Sequence, residues 1–318
     1  MKTTCAAAVA VSIAVLSSQA TPGWVIDQQF TNSTPPAGWI FQGFSNLASQ
    51  YDEGGVPAHE FLTGGFLRLT TTEGGYQRSS GFYTSDWTWS HDWSMEGEFR
   101  CIPGADGLAF SWVCIDGGMV ASNTAYKLLG GPGGFLGVPR NSLAVPLYGC
   151  GAYAGVSGYS LQFDTYRDDF GGGKMPQDTN YATVRFRNLS WWTDVPGSTS
   201  NFLGEPTFFV NCGWVNFRLV QEMIGPTAHF TFLWGTNLEN SYAWDDHSYS
   251  GNLPALFGVS AGCGGYQATH DVRMFRVYAD IVPEPGMAAA AILGFGLLVT
   301  KRKNRRALAQ CGHRRSRP

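Results

Sequence analysis

Along residues 21–281 the hydrophobic positions either alternate with polar ones or form short runs, and Gly, Pro and Asn separate them. The clearest runs are Phe66–Leu69, Ser94–Phe99, Gly107–Val113, Tyr159–Phe163, Ala182–Phe186, Val215–Val220 and Ala228–Trp234. Successive side chains of an extended strand point to opposite faces, so each run predicts a β-strand bounded by turns. No stretch of ten or more residues places apolar side chains at i, i+3, i+4 and i+7, and no repeat of 20–50 residues is visible. Many short strands joined by turns predict an all-β sandwich or barrel, and this length suits a single domain of that class.

Both ends read differently from this body. Lys2, an apolar stretch from Ala6 to Leu16 and the small residues around Ala20 have the order of a secretory signal peptide over residues 1–20. At the other end, Pro283-Glu284-Pro285 precedes the apolar run Met287–Thr300 and the basic cluster Lys301-Arg302-Lys303-Asn304-Arg305-Arg306. That order resembles the PEP-CTERM sorting signal, here over residues 282–306, followed by a basic tail over 307–318. The resemblance implies recognition and cleavage by an exosortase-type enzyme, with transient membrane anchoring through a short C-terminal apolar helix. The expected destination is the cell surface or extracellular matrix. The tail beyond the basic cluster departs from the family pattern.

Setting the ends aside changes the charge. The chain has 21 Lys+Arg and 24 Asp+Glu, of which nine basic residues and Glu284 lie in the ends; the body carries 21 − 9 = 12 basic and 24 − 1 = 23 acidic residues, a net of −11. An acidic body argues against nucleic acid and anionic membrane as partners and is compatible with cation binding. Five cysteines remain in the body, Cys101, Cys114, Cys150, Cys212 and Cys263. Export permits disulfides, an odd count leaves at least one thiol free or paired between chains, and the connectivity is not readable from spacing.

Four segments carry candidate chemistry. Asp106-Gly107-Leu108-Ala109-Phe110 puts a carboxylate at a strand start, where it can accept hydrogen bonds from vicinal hydroxyls. Gly133-Gly134-Phe135-Leu136-Gly137 permits close backbone approach to a ligand. Leu161-Gln162-Phe163-Asp164-Thr165-Tyr166-Arg167-Asp168, continuing to Asp178 and Thr183, offers hard oxygen ligands that suit calcium. The fourth segment, Phe257 to Val272, contains a Gly264-Gly265-Tyr266 loop.

In this order the four segments resemble the L-type (legume) lectin family. The resemblance implies a concanavalin A-like β-sandwich jelly roll over residues 21–281 and non-catalytic, calcium-dependent binding of a polysaccharide or glycan. It further implies sugar contacts from Asp106, Gly134, Tyr166, Asp168, Gly265 and Tyr266, and one calcium held by Asp164, the Tyr166 carbonyl, Asp168 and Asp178. The family usually has Asn where Asp168 stands, so that position gains charge and loses an amide donor. Plant members hold a second, transition metal with a Glu and a His; the corresponding positions here are Gln162 and Thr183, and loss of that second metal is expected. His270 is expected to be structural.

A structural matrix protein whose sandwich has lost its sugar site is the alternative, and a glycoside hydrolase on the same fold ranks behind it. Glu96 and Glu98 share a strand face, but a third acidic residue farther along the strand is missing, since Arg100 and Cys101 follow. Gly258-Val259-Ser260-Ala261-Gly262 fits G-x-S-x-G, yet that motif needs a strand-to-helix elbow and Cys263-Gly264-Gly265 follows instead. Trp191-Trp192 can expose at most one indole, because neighbours in a strand face opposite ways.

Overall fold

The computed structural model describes residues 21–32, 34, 36–44, 62, 65–72, 77–83, 92–102, 106–115, 130, 136–141, 152–153, 156–165, 183–190, 193–198, 209, 213–249, 255–264 and 268–281. Pro22–Asp280 is one compact unit. The expected signal peptide and sorting tail lie outside the described residues.

Among the described residues, sixteen strands follow one another: β1 (Thr21–Gln29), β2 (Trp39–Phe44), β3 (Leu67–Thr70), β4 (Arg78–Tyr83), β5 (Trp93–Ile102), β6 (Gly107–Ile115), β7 (Arg140–Asn141), β8 (Ala152–Tyr153), β9 (Val156–Asp164), β10 (Thr183–Asn188), β11 (Thr193–Asp194), β12 (Val215–Ile224), β13 (Thr227–Gly235), β14 (Asn240–Asp246), β15 (Ala255–Gly262) and β16 (Thr269–Ile281). They form a back sheet in the order β1-β16-β5-β12-β13-β14, with β3 added to β16, and a front sheet in the order β11-β10-β9-β6-β15-β4-β2. The ladders of both sheets are antiparallel, and β7 and β8 make a small parallel pair. Each of the seven apolar runs overlaps a strand, and of the sandwich or barrel expected from the pattern the sandwich is the architecture observed.

The sheets pack face to face through aromatic rings. Phe99 of β5 meets Phe163 of β9 at 4.4 Å between ring centroids, Phe217 meets Phe110 at 4.5 Å, Trp93 meets Trp112 at 4.6 Å, and Phe230 meets Phe186 at 4.7 Å. Each pair joins a back strand to a front strand, and tilted or edge-on pairs of this kind add about 0.5–1.5 kcal/mol beyond simple burial. Strict alternation of buried and half-buried residues in β5 and β13 shows that the back sheet covers the core with one face and meets solvent with the other. The front sheet differs: every residue of β15 is buried, as are nearly all of β9. Its second face is covered by a separate apolar cluster that includes Phe82, Val113, Leu136, Val138 and Leu256.

Two sequence matches to enzymes resolve within this frame. Gly258 to Gly262 lie inside β15, and Ser260 is fully buried, so the serine occupies a strand interior and no elbow presents it. Glu96 and Glu98 do share the outer face of the back sheet, where Arg218 Nη2 holds Glu96 Oε1 at 2.7 Å and Arg273 holds Glu98. Cys101, Cys114 and Cys263 are buried and form no disulfide with one another, while Cys150 and Cys212 lie outside the described residues.

Candidate functional site

The site forms where three central strands of the front sheet reach the same end. In the ladder, Gly107 at the start of β6 stands opposite both Gly262 at the end of β15 and Asp164 at the end of β9, and Asp164 in turn faces Thr183 of β10. Asp106 is therefore carried to the same sheet end as Asp164, although 58 residues separate them in sequence, 164 − 106. Hydrogen bonds lock the backbone there. Asp106 N–H donates to the Gly262 carbonyl at 3.1 Å, and the Asp106 carbonyl accepts from Thr165 N–H at 2.5 Å and from Thr165 Oγ1 at 2.8 Å.

Gly107 is required for this join. Its φ is +150°, and a Cβ placed on it would lie 2.1 Å from the Phe163 carbonyl oxygen. A side chain there cannot be accommodated without parting β6 from β9. Phe163 anchors the other half of the join from below: its ring packs against Phe99, Phe209 and Phe217, so the strand that ends in Asp164 is held by the core.

A third segment closes over the same end. Leu136 and Gly137 both adopt positive φ, at 52° and 68°, and the Gly137 carbonyl accepts from Gly130 N–H at 2.7 Å. A Cβ on Gly137 would meet the Ala261 and Ser79 carbonyl oxygens at 2.6 and 2.9 Å, so this loop lies directly on β15 and β4. Arg78 Nη1 donates to the Gly130 carbonyl at 2.9 Å, tying the loop to β4. The Cys263 N–H donates to the Gln77 carbonyl at 2.9 Å, which fixes the chain as it leaves β15.

The electrostatics centre on the two carboxylates. Asp106 and Asp164 are buried. Arg185 Nη1 lies 3.9 Å from Asp164 Oδ2, a separation at the outer limit of an ion pair. Two residues along β10, burial pulls the Arg187 guanidinium below the usual arginine range; repulsion from Arg185 acts the same way and Asp194 opposes it. Burial pushes the Cys263 thiol up, and the Asp106 charge adds a smaller push in that direction, which places Asp106 within electrostatic reach of the β15 end.

The structure thus brings together Asp106 and Asp164 from the expected set. Gly134, Tyr166, Asp168, Asp178, Gly265 and Tyr266 lie outside the described residues, as do Trp191 and Trp192. Their described neighbours Leu136, Thr165 and Gly264 belong to the segments just placed at this end. Among the described residues, no three His, Cys, Asp or Glu side chains cluster as a metal site. Asp164 is the expected calcium ligand that is described, and a buried carboxylate suits a hard cation. The surroundings do not suit a second, transition metal. Gln162 is fully buried beside Asp164 on the same strand face, with neither amide atom hydrogen-bonded to a described residue, and its ladder partner is Arg185. An amide and a guanidinium are poor partners for manganese or zinc.

Sequence reading missed Arg185, Thr165 and Gly262. Arg185 carried a signal, because it follows Thr183 at i+2 and so shares its strand face. His270 is wholly buried, with Nδ1 2.6 Å from Thr70 Oγ1, as a structural residue would be.

No family model matches the sequence, and no curated protein matches it. Solved structures do resemble it. Lectin I-B4 from Griffonia simplicifolia, in its metal-free form, is 19% identical, with 79% of this chain and 98% of that chain covered and a TM-score of 0.51. A lectin from Bauhinia forficata in complex with GalNAc is 14% identical, with 81% and 99% covered and a TM-score of 0.51. A Lotus tetragonolobus seed lectin is 13% identical, with 81% and 100% covered and the same score. The chain spans nearly the whole of each, and at these identities the likeness is one of architecture: this protein has the fold of the legume lectin β-sandwich.

Proposed function

We propose that this protein is an exported, non-catalytic, calcium-dependent carbohydrate-binding protein that reads a glycan at the end of the front sheet. One observation carries the reading: backbone hydrogen bonds, donated by Asp106 N–H to the Gly262 carbonyl and by Thr165 N–H to the Asp106 carbonyl, fix Asp106 at the sheet end that also holds Asp164, with the Leu136–Val138 loop beside them. A fixed carboxylate is a strong acceptor for two neighbouring sugar hydroxyls. Asp164, the Tyr166 carbonyl, Asp168 and Asp178 would hold the calcium, which would draw together the two ends of the segment from Asp164 to Asp178. Sugar contacts would come from Asp106, Gly134, Tyr166, Asp168, Gly265 and Tyr266. Lectins of the same fold, one of them in complex with GalNAc, support the reading at the level of architecture. Glu96 and Glu98, the carboxylates a hydrolase would need, are committed to Arg218 and Arg273.

The full chain on a glycan array tests this. Expected are calcium-dependent signals that vanish in excess chelator and in Asp106→Ala. Signals unchanged by both treatments would overturn it. Calorimetry separates the matrix-protein alternative, which predicts no heat on calcium addition and no thermal shift. In the same reading the N-terminal signal directs export and an exosortase-type enzyme cuts the tail; intact mass of the exported protein ending near Pro285 is the expected outcome, and retention of residues through Pro318 would reject that step.

A further inference from the structure

The outer face of the back sheet carries a cluster that the glycan reading does not use. Phe66, Arg68 of β3, Arg100 of β5, Trp214 before β12 and Arg273 of β16 converge there. Arg100 lies over both rings, 4.8 Å from the centroid of Phe66 and 4.8 Å from that of Trp214. Arg68 lies 5.1 Å from Phe66, Arg273 lies 4.6 Å from Trp214, and the two rings are 5.7 Å apart.

Carboxylates fix these guanidiniums from beneath. Asp271 is fully buried and takes Arg68 Nε at 2.9 Å through Oδ1, Arg68 Nη2 at 3.2 Å through Oδ2, and Arg100 Nε at 2.7 Å through Oδ2. Glu98 takes Arg273 Nε at 2.7 Å and also engages its Nη2. Arg100 is thereby held through Nε alone, and its two terminal nitrogens donate to no described residue. Their parallel N–H groups form the fork that matches a carboxylate.

The charge balance points the same way. Three guanidiniums against two carboxylates give +3 − 2 = +1 here, in a body whose net charge is −11. Arg218 and Arg276 lie on the same face, paired with Glu96 and Asp27, so five of the body's twelve basic residues gather on it against four ion-paired carboxylates, and none of the five is a lysine. Rings beside oriented guanidiniums suit a ligand with a flat apolar face and an attached anion. We infer that this cluster is a second, calcium-independent binding site for an acidic polysaccharide of the uronic-acid class. The sugar ring packs along Trp214 and Phe66, and its carboxylate takes the open fork of Arg100. The site shares no residue with the front-sheet site and does not depend on it.

Biolayer interferometry of the full chain on immobilised polygalacturonate, with chelator present, tests the proposal. Binding is expected in chelator, weaker by about tenfold or more on the fully methyl-esterified polymer, which keeps the rings and loses the charge. Trp214→Ala is expected to weaken it by about tenfold and Arg273→Gln by a smaller factor, with melting curves checking that each variant is folded. Asp106→Ala is expected to leave it unchanged, which separates this site from the glycan site. Three outcomes would overturn the proposal: no binding to the acidic polymer, equal binding to acid and ester, or loss in Asp106→Ala. Equal affinity for single-stranded DNA would also overturn it, as a sign of generic polyanion attraction.

Discussion

Acid should destabilise this protein through one histidine. His270 is the second residue of β16, fully buried, with Cys101 and Thr70 as its ladder partners. The Thr70 hydroxyl donates to the Ala268 carbonyl at 2.7 Å, so it accepts from His270 Nδ1–H, and the basic atom is Nε2. That atom is buried and has no hydrogen-bond partner among the described residues. Protonation would place an unpaired charge in the interior, and burial accordingly pulls the imidazole from 6.5 down to about 3. The sign follows from proton counting. Between these two values the unfolded chain binds the proton and the folded chain does not, so stability is complete above the unfolded pKa and falls as pH drops towards the folded one. Integrating from about pH 7.5 to about pH 4.5 gives a loss of roughly 2.6 kcal/mol for this group. Urea unfolding across that range measures it, with His270→Asn as the reference because the Asn amide keeps a donor near Thr70. The wild type should lose about 2.6 kcal/mol more than the variant over that interval. Parallel pH profiles for the two proteins would refute the assignment.

Two further outcomes follow from the site itself. Gly107→Ala forces a side chain onto φ +150° and against the Phe163 carbonyl, and should cost about 3 kcal/mol in urea unfolding while abolishing glycan-array signals; a variant as stable as wild type would show that the β6–β9 join tolerates a side chain. Arg185→Gln removes a positive charge near the proposed calcium, and at about 6 Å in water such a charge costs a divalent ion roughly 1.4 kcal/mol. Calcium should then bind roughly tenfold more tightly by calorimetry, and weaker binding would mean that Arg185 supports the loop instead of opposing the ion.

How much of this was legible in the sequence depends on which face a strand buries. β5, β12 and β13 carry one buried and one open face, so their apolar positions alternate and their extent reads directly. β15 is buried on both sides, and its Gly and Ser residues look like punctuation or a nucleophile motif until the sheet is seen around them. The pairing of Asp106 with Asp164 was legible only through family resemblance, because ladder register sets it and no local spacing does. The Phe66–Trp214 cluster was not legible at all. Its members come from positions 66, 68, 100, 214 and 273, each ordinary in its own segment, and only the back-sheet order makes them neighbours.

Two buried carboxylates at one sheet end repel each other, and the fold offsets that cost in two ways. The Asp106 segment is held in place by backbone hydrogen bonds to Gly262 and Thr165, which do not depend on its charge. Asp164 has Arg185 at the edge of ion-pair distance, a separation that leaves the guanidinium a weak competitor for the carboxylate. Among Asp106, Asp164 and Arg185 the balance is −1 − 1 + 1 = −1, and the proposed ligands Asp168 and Asp178 would deepen it to −3. Cation binding relieves this excess. A fixed arginine supplies one positive charge permanently, where a second metal would have supplied two, and the remainder is left for one exchangeable ion. On the proposed reading, the calcium affinity of such a site would be set by how strongly Arg185 competes for Asp164.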